Sequence, residues 1–236
     1  MYIQRIWSAM VLTGLGLAVF AGPGRATASG ILFQFDTAFP TDPNPGGSAP
    51  WVDAIFQDVS PGTVLLTITN VQMVAGEFIA GNGSGANGGL FFNLNTNLGA
   101  GNLIFDFDTS SGSFSTPAIS TGTNSFQADG DGQCDILFDF ATSSGRFVGG
   151  DSITYRITGI STLTAADFAC LSAPGGGSGP FYAAAHVQGL SGGNSTWIEP
   201  SQATLVPVPE PTTTVSCLLG LAALVCSWRL RRAWNV

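Results

Sequence analysis

The sequence predicts an all-β protein: a two-sheet β-sandwich of jelly-roll type over residues 29–205, with a signal peptide before it and a transmembrane helix after it. Many short apolar runs alternate with a period of two and are bounded by Gly, Pro, Asn, Asp and Ser. No long apolar stripe has the helical period of 3.6. Glycine and proline supply 32 and 13 of the 236 residues, as expected where strands are short and turns frequent.

Eight of these runs predict strands. Where a run alternates, we expect its aromatic or β-branched face to be buried, because successive side chains of a strand point to opposite faces. A short helix is expected after Thr164, which is a suitable N-cap residue. The predicted strands cover residues 31–35, 52–56, 64–69, 90–94, 103–108, 136–140, 153–158 and 183–187.

The charge balance excludes one class of function. Charged residues make up only 9% of the chain, there is no lysine, and the formal net charge is −8. Between residues 36 and 199, two arginines stand against fourteen acidic residues. Such a field repels phosphate backbones, so we expect no nucleic-acid partner.

Residues 1–28 have the pattern of a signal peptide. Arg5 precedes a mostly apolar stretch at residues 6–20, and glycine and proline interrupt the chain at residues 22–24. Ala26 and Ala28 offer the small residues that a signal peptidase requires. We therefore expect cleavage after Ala28, and a mature protein that works outside the inner membrane, where disulfides form. An uncleaved membrane anchor is the alternative.

Residues 206–236 combine a proline-rich triplet, an apolar stretch and a basic end. Residues 212–228 carry no charge and would span about 25 Å as a helix at ~1.5 Å per residue. Basic residues beside a span stay in the cytoplasm, so the body would lie outside. The triplet is Pro209, Glu210 and Pro211, and the basic residues are Arg229, Arg231 and Arg232. A plain tail anchor with a proline-rich stalk is the alternative.

This order of triplet, span and arginines resembles the PEP-CTERM sorting signal. The resemblance implies processing by an exosortase, a membrane cysteine peptidase or transpeptidase of Gram-negative bacteria that make exopolysaccharide. Pro209, Glu210 and Pro211 would be its recognition residues. Residues 126–140, 163–168 and 183–189 are similar to stretches of uncharacterised exported PEP-CTERM proteins, which supports the β-sandwich prediction and adds no catalytic residues.

An aspartate- and glycine-rich stretch suggests a cation site. Asp129, Asp131 and Asp135 alternate with glycines, and carboxylates on a flexible loop can surround a calcium ion. The EF-hand pattern is not met, because Cys134 and Phe140 replace its glycine and its closing glutamate. The alternative is an Asp-Gly hairpin turn without a metal.

Two cysteines lie in the predicted mature body. Cys134 and Cys170 would form one disulfide in an oxidising compartment. In the chain-entropy description, a loop of this length would stabilise the fold by roughly 3–4 kcal/mol. Two free thiols are the alternative.

Candidates for carbohydrate chemistry are few. Trp51 and Trp197 would stack on sugar rings if they were exposed, or belong to the core if they were not. A glycosidase needs two facing carboxylates, and the body has only Glu77 and Glu199 besides its aspartates. The sequence singles out no such pair.

These observations predict an exported, exosortase-processed protein of the cell surface or exopolysaccharide matrix, without catalytic activity. A carbohydrate-binding module is the alternative, and a secreted glycoside hydrolase comes third. The expected partners are signal peptidase, exosortase, the inner membrane in transit, and exopolysaccharide. No cofactor other than calcium is expected.

Overall fold

The computed structural model describes residues 29–81, 88–177 and 179–207. Within them the protein is all-β, as predicted, with twelve strands and three short 3-10 turns. The strands are β1 (Ser29–Ala38), β2 (Val52–Ser60), β3 (Thr63–Asn70), β4 (Phe78–Ile79), β5 (Leu90–Phe92), β6 (Ile104–Ser111), β7 (Ala118–Ala128), β8 (Asp131–Asp139), β9 (Phe147–Val148), β10 (Ser152–Thr158), β11 (Ala183–Gln188) and β12 (Ser195–Pro207). The turns are η1 (Ala100–Asn102), η2 (Ala165–Phe168) and η3 (Ser191–Gly193).

All strand pairs are antiparallel and belong to one sheet. Its order is β6-β10-β3-β2-β1-β12-β11-β5-β8-β7, with β4 paired to β11 and β9. The first and last long strands are therefore neighbours at the centre of the sheet. In their register, Ser29 lies opposite Pro207.

The sheet curls over its own core. Phe105 of β6 and Phe138 of β8 belong to strands near opposite ends of the sheet order, yet their ring centroids are 5.6 Å apart. Phe92 contacts Phe138 at 5.8 Å and Phe56 of β2 at 5.2 Å. Phe168 of η2 stacks on Phe56 at 4.1 Å. Burying one such side chain contributes about 1.5–3 kcal/mol, so this phenylalanine cluster is a major source of stability.

A smaller apolar cluster lies beside this core, and we call it the outer layer. It consists of Phe39, Phe91, Ala128, Cys134, Leu137, Phe181, Ala184 and Trp197. Loop residues Phe39 and Phe181 stack at 4.2 Å, and Phe39 also stacks on Trp197 at 5.9 Å. The run from Cys134 to Phe138 in β8 is buried throughout, as expected of a strand covered on both faces.

The eight predicted strands all form, and the alternation holds in most of them. In β3, for example, Val64, Leu66 and Ile68 are buried. Strand β6 differs from this pattern. Phe107, on the face that we expect to be buried, is 55% exposed, and Ile104 on the opposite face is exposed as well. Strand β6 stands at one end of the strand order.

The predicted short helix is the 3-10 turn η2. Thr164 precedes it, and both the backbone N–H and the hydroxyl of Thr164 donate to Asp167 Oδ2, at 2.9 and 2.8 Å. These hydrogen bonds cap the N-terminal end of η2, as in a capping box. Phe168 at its end enters the core.

The predicted signal peptide at residues 1–28, the Pro209–Pro211 triplet, the predicted span at residues 212–228 and the basic tail lie outside the described residues. Within the described ranges, no helix has the length and apolar character needed to span a membrane.

Candidate functional site

Strand β7 contains a wide bulge where it pairs with β8. Thr121 lies opposite Ile136 in the register of β7 and β8, and the next pair is Phe126 with Cys134. Residues 122–125 are thus opposed by Asp135 alone. Asn124 in this bulge has a φ of 50°, a left-handed conformation that asparagine tolerates better than most residues.

The buried carboxylate of Asp135 holds the bulge in place. Its Oδ1 accepts a hydrogen bond from the Asn124 backbone N–H at 2.7 Å, and its Oδ2 accepts one from the Leu94 N–H at 2.8 Å. Charge-assisted bonds to two backbone amides explain how an aspartate is accommodated in an otherwise apolar strand. Asp135 therefore ties β7, β8 and the end of β5 together.

Beside the bulge lies an open cleft of about 380 Å³, which we call the outer cleft. Its lining combines carboxamides and a hydroxyl with apolar rings, and it contains no charged side chain among the described residues. Such a surface can donate and accept several hydrogen bonds while an aromatic ring covers an apolar face of a ligand. The lining residues are Gly88, Phe91, Asn124, Ser125, Phe126, Gln127, Gln133 and Leu137.

The three aspartates predicted to bind calcium do not form one ligand set among the described residues, and a calcium site there stays a prediction. Asp129 and Gly130 form a two-residue hairpin turn between β7 and β8, with φ angles of 53° and 76°. Both oxygens of Asp135 are occupied by the backbone amides of the bulge. Within the described residues, no three acidic, histidine or cysteine side chains are grouped to hold a metal.

The Asp-Gly alternative therefore describes this turn. Both residues have positive φ, as a type I′ turn requires. Burial raises the pKa of Asp129, and the nearby carboxylates of Asp42 and Asp131 raise it further.

Cys134 and Cys170 are free thiols in this structure. Cys134 is buried in the outer layer, and its burial, together with the charge of Asp135, raises its pKa to about 12. Cys170 is partly exposed, and its thiol donates to the Asp167 carbonyl at 3.5 Å. Burial also raises the pKa of Cys170, helped by Asp167 and Asp135. A disulfide between the two stays a prediction.

Trp51 and Trp197 are core residues, and this corrects the sugar-stacking interpretation. They are 4% and 6% exposed, so neither ring offers a face to a sugar. Trp197 is covered by His186, whose ring stacks on it at 4.8 Å, and by Phe39. Burial lowers the pKa of His186, although the Asp42 carboxylate opposes this effect.

The two glutamates have different environments. Glu77 is 2% exposed, and its Oε1 accepts a hydrogen bond from the Gly46 N–H at 2.7 Å, so it fixes a loop. Glu199 of β12 is half-buried. Burial raises the pKa of Glu199 to about 7, and the neighbouring Asp36 carboxylate adds to the shift.

The outer cleft is lined by residues that the sequence analysis did not single out. Asn124, Ser125 and Gln127 were not identified from the sequence, because the bulge that gathers them depends on a register that local patterns do not show. Comparisons with protein-family models, with curated proteins and with solved structures found no match.

Proposed function

We propose that this protein is an exported, non-catalytic component of the cell surface or exopolysaccharide matrix, and that an exosortase processes it at a PEP-CTERM sorting signal. The proposal rests on the sequence of residues 206–236, where the Pro209–Pro211 triplet, an uncharged stretch and three arginines follow one another. A transient stay in the inner membrane and processing by signal peptidase belong to the same proposal.

One structural observation supports it: the two ends of the folded body meet. Both proposed cleavage points lie outside the described residues of β1 and β12. Ser29 and Pro207 are cross-strand partners. Cleavage at these points would leave every described strand pair intact.

Mass spectrometry of the mature protein from cells with and without the exosortase tests the proposal. We expect an N-terminus at Ser29 and a C-terminus close to Pro211 in normal cells, and a longer form that keeps the tail when the exosortase is absent. Glu210→Ala should also give the longer form, whereas Glu199→Ala, in the folded body, should not. A mature form that still contains Trp234 would overturn the proposal.

We further propose that the curled sheet is a two-layer sandwich of jelly-roll type. The close approach of Phe105 and Phe138, which come from opposite halves of the strand order, supports two facing layers. Tyr155 of β10 also contacts Phe138, with ring centroids 5.6 Å apart.

Carbohydrate binding is the second candidate function, and the outer cleft favours it. Neutral sugars offer many hydroxyls to carboxamides, and their C–H faces pack on aromatic rings. Asn124, Gln127 and Gln133 supply carboxamides at the outer cleft, and half-buried Phe126 supplies a ring. An uncharged lining suits an uncharged polysaccharide, because charged groups would otherwise be desolvated without a partner.

Binding to an array of neutral oligosaccharides tests this candidate. We expect Gln133→Ala to weaken binding by roughly tenfold, because one or two hydrogen bonds are lost. Gln34→Ala is the matched control, since Gln34 is exposed on β1 and does not line the outer cleft. Binding that is equal in both variants and the parent would argue against the outer cleft as a sugar site.

A glycoside hydrolase is the third candidate. Its acid would be Glu199, because a carboxyl group whose pKa is near 7 can donate a proton at neutral pH. Hydrolysis of a polysaccharide that is lost in Glu199→Gln would favour this candidate over a non-catalytic matrix protein.

A further inference from the structure

One end of the sheet holds both the first and the last described residues, and we call it the exit end. Ser29 of β1 lies there, opposite Pro207 of β12. The register carries the same end through β2, β3 and β10 to β6, where Thr158 lies opposite Ile104. Five segments form the exit end, namely residues 29–33, 59–63, 99–104, 157–164 and 203–207.

The five segments of the exit end carry no charged residue. The acidic residues and arginines of the body all lie outside them, and the two carboxylates nearest in sequence are bound within the protein. Asp58 accepts hydrogen bonds from the Ser29 hydroxyl at 2.8 Å and from the Ala165 N–H at 2.7 Å. Asp167 accepts from Thr164, as described for η2. The exit end can therefore leave water without stripping the hydration from an unpaired charge.

Three large apolar side chains of the exit end are exposed to solvent. Leu205 is 72% exposed, more than any other large apolar residue of the described chain, and Ile104 and Val59 are 53% and 50% exposed. Single exposed apolar residues are ordinary on protein surfaces. Here they come from three strands and share one uncharged end of an acidic body, which is typical of a surface that meets another apolar phase.

The proposed membrane span lies close to the exit end. Four residues separate Pro207, the last described residue, from Thr212, the first residue of the proposed span. At ~3.3–3.6 Å per residue, an extended chain from Pro207 to Thr212 covers at most about 18 Å. The headgroup region of one leaflet is itself about 5–8 Å thick. A body anchored by this tail would therefore have its exit end beside the membrane surface.

We propose that the exit end rests on the outer surface of the inner membrane while the tail spans it, with Val59, Ile104 and Leu205 in the lipid headgroup region. This contact depends on the proposed span and so rests on the proposed function, to which it adds the surface that meets the lipid. Apolar side chains gain free energy when they leave water for the interface. The contact would also hold the Pro209–Pro211 triplet at the membrane face, within reach of a membrane peptidase.

Paramagnetic line broadening in lipid nanodiscs tests the proposal. The form that keeps the tail is isolated from cells without the exosortase, with isotope-labelled valine, leucine and isoleucine methyls, and is placed in phosphatidylcholine nanodiscs that contain a gadolinium-chelating lipid. We expect strong broadening of the Val59, Ile104 and Leu205 methyl signals. Val71 and Val148 are the controls and should stay sharp, because both are 37% exposed but lie near the opposite ends of β3 and β10.

A charge placed at the exit end should lift the body from the membrane. Leu205→Glu should reduce the broadening at Val59 and Ile104 by about threefold or more, because a carboxylate disfavours the headgroup region that leucine favours. Val71→Glu, the matched change at the opposite end, should leave the broadening unaltered. Both positions are exposed, so neither variant should disturb the fold.

The outcomes separate the membrane contact from the sorting proposal. If the form that keeps the tail does not co-elute with the nanodiscs, the proposed span and the contact are both overturned. If it co-elutes but its methyl signals are not broadened, or are broadened equally at Val59 and Val71, only the contact is overturned. Broadening that is unaltered in Leu205→Glu would also overturn the contact alone.

Discussion

Glu199 shows how a single side chain can make the stability of this protein depend on pH. Its folded-state pKa, about 7, lies above the ordinary value of 4.5 because burial disfavours the charged form. The folded state therefore binds the proton more tightly than the unfolded state. As pH rises from about 4.5 to 7 the free energy of unfolding falls, and above pH 7 the whole penalty is present.

Glu199→Gln removes this penalty. We expect the variant to be more stable than the parent at pH 8, by about 1 kcal/mol after allowance for solvent screening of a half-buried group, or roughly 2–4 °C in melting temperature. At pH 4 the difference should vanish. Calorimetric melting at both pH values checks this, with Asp106→Asn on exposed β6 as the control. A gain that is the same at both pH values would contradict the explanation.

The buried carboxylate of Asp135 has a structural role, because it accepts hydrogen bonds from two backbone amides. Asp135→Ala leaves the buried Leu94 amide and the partly buried Asn124 amide without an acceptor. We expect a loss of about 2–4 kcal/mol in the free energy of unfolding, measured by urea denaturation. Asp108→Ala is the control. The side chains of Arg156 and Asp108, which form an ion pair, are 40% and 41% exposed, so losing this pair should cost less than about 1 kcal/mol.

Cys134 should be chemically silent in the folded, reduced protein. It is buried and its pKa is raised to about 12, so almost no thiolate forms at pH 8. Iodoacetamide followed by peptide mapping should modify Cys134 only after unfolding, and partly exposed Cys170 before it. Equal modification of both in the folded state would contradict this burial. Mapping without reductant would separately test the predicted disulfide.

At the scale of elements, the β7–β8 hairpin depends on its turn residues. Gly130 has a φ of 76°, and a Cβ atom there would meet nothing within 4 Å. Gly130→Ala should therefore cost about 1 kcal/mol through backbone strain alone. Gly101 in η1 has the same open surroundings without a positive φ, so Gly101→Ala should cost nothing measurable. Thermal melting of the two variants compares them directly, and equal losses would reject the strain explanation.

Elements also differ in how well the sequence predicts them. Strands β3 and β10 alternate clearly, because one face of each packs on the core. Strands β7 and β12 were not predicted, since β7 is largely polar and half-exposed and β12 contains Pro200. Their strand conformation comes from pairing with β8, β1 and β11 rather than from local preference.

At the scale of the whole molecule, the positions of the carboxylates predict how calcium affects stability. Asp129 and Asp131 lie at the hairpin turn, and the oxygens of Asp135 bond to backbone amides. A ligand that binds only the folded state at a hundred times its Kd raises stability by about 2.7 kcal/mol. We expect the melting temperature to be the same in calcium and in a chelator. A rise of several degrees with calcium would show that a site exists.

The sequence by itself determined the all-β class, the position of eight strands and the acidic character of the body, and it offered the Asp-Gly turn as one of two alternatives. These features follow from local periodicity, turn chemistry and composition, which do not need distant residues. Only the tertiary structure decided that Trp51 and Trp197 are buried, since their exposure depends on which rings and loops cover them. It also decided the β7 bulge and the approach of β6 to β8, because strand register and sheet curvature are set by packing between segments far apart in the chain.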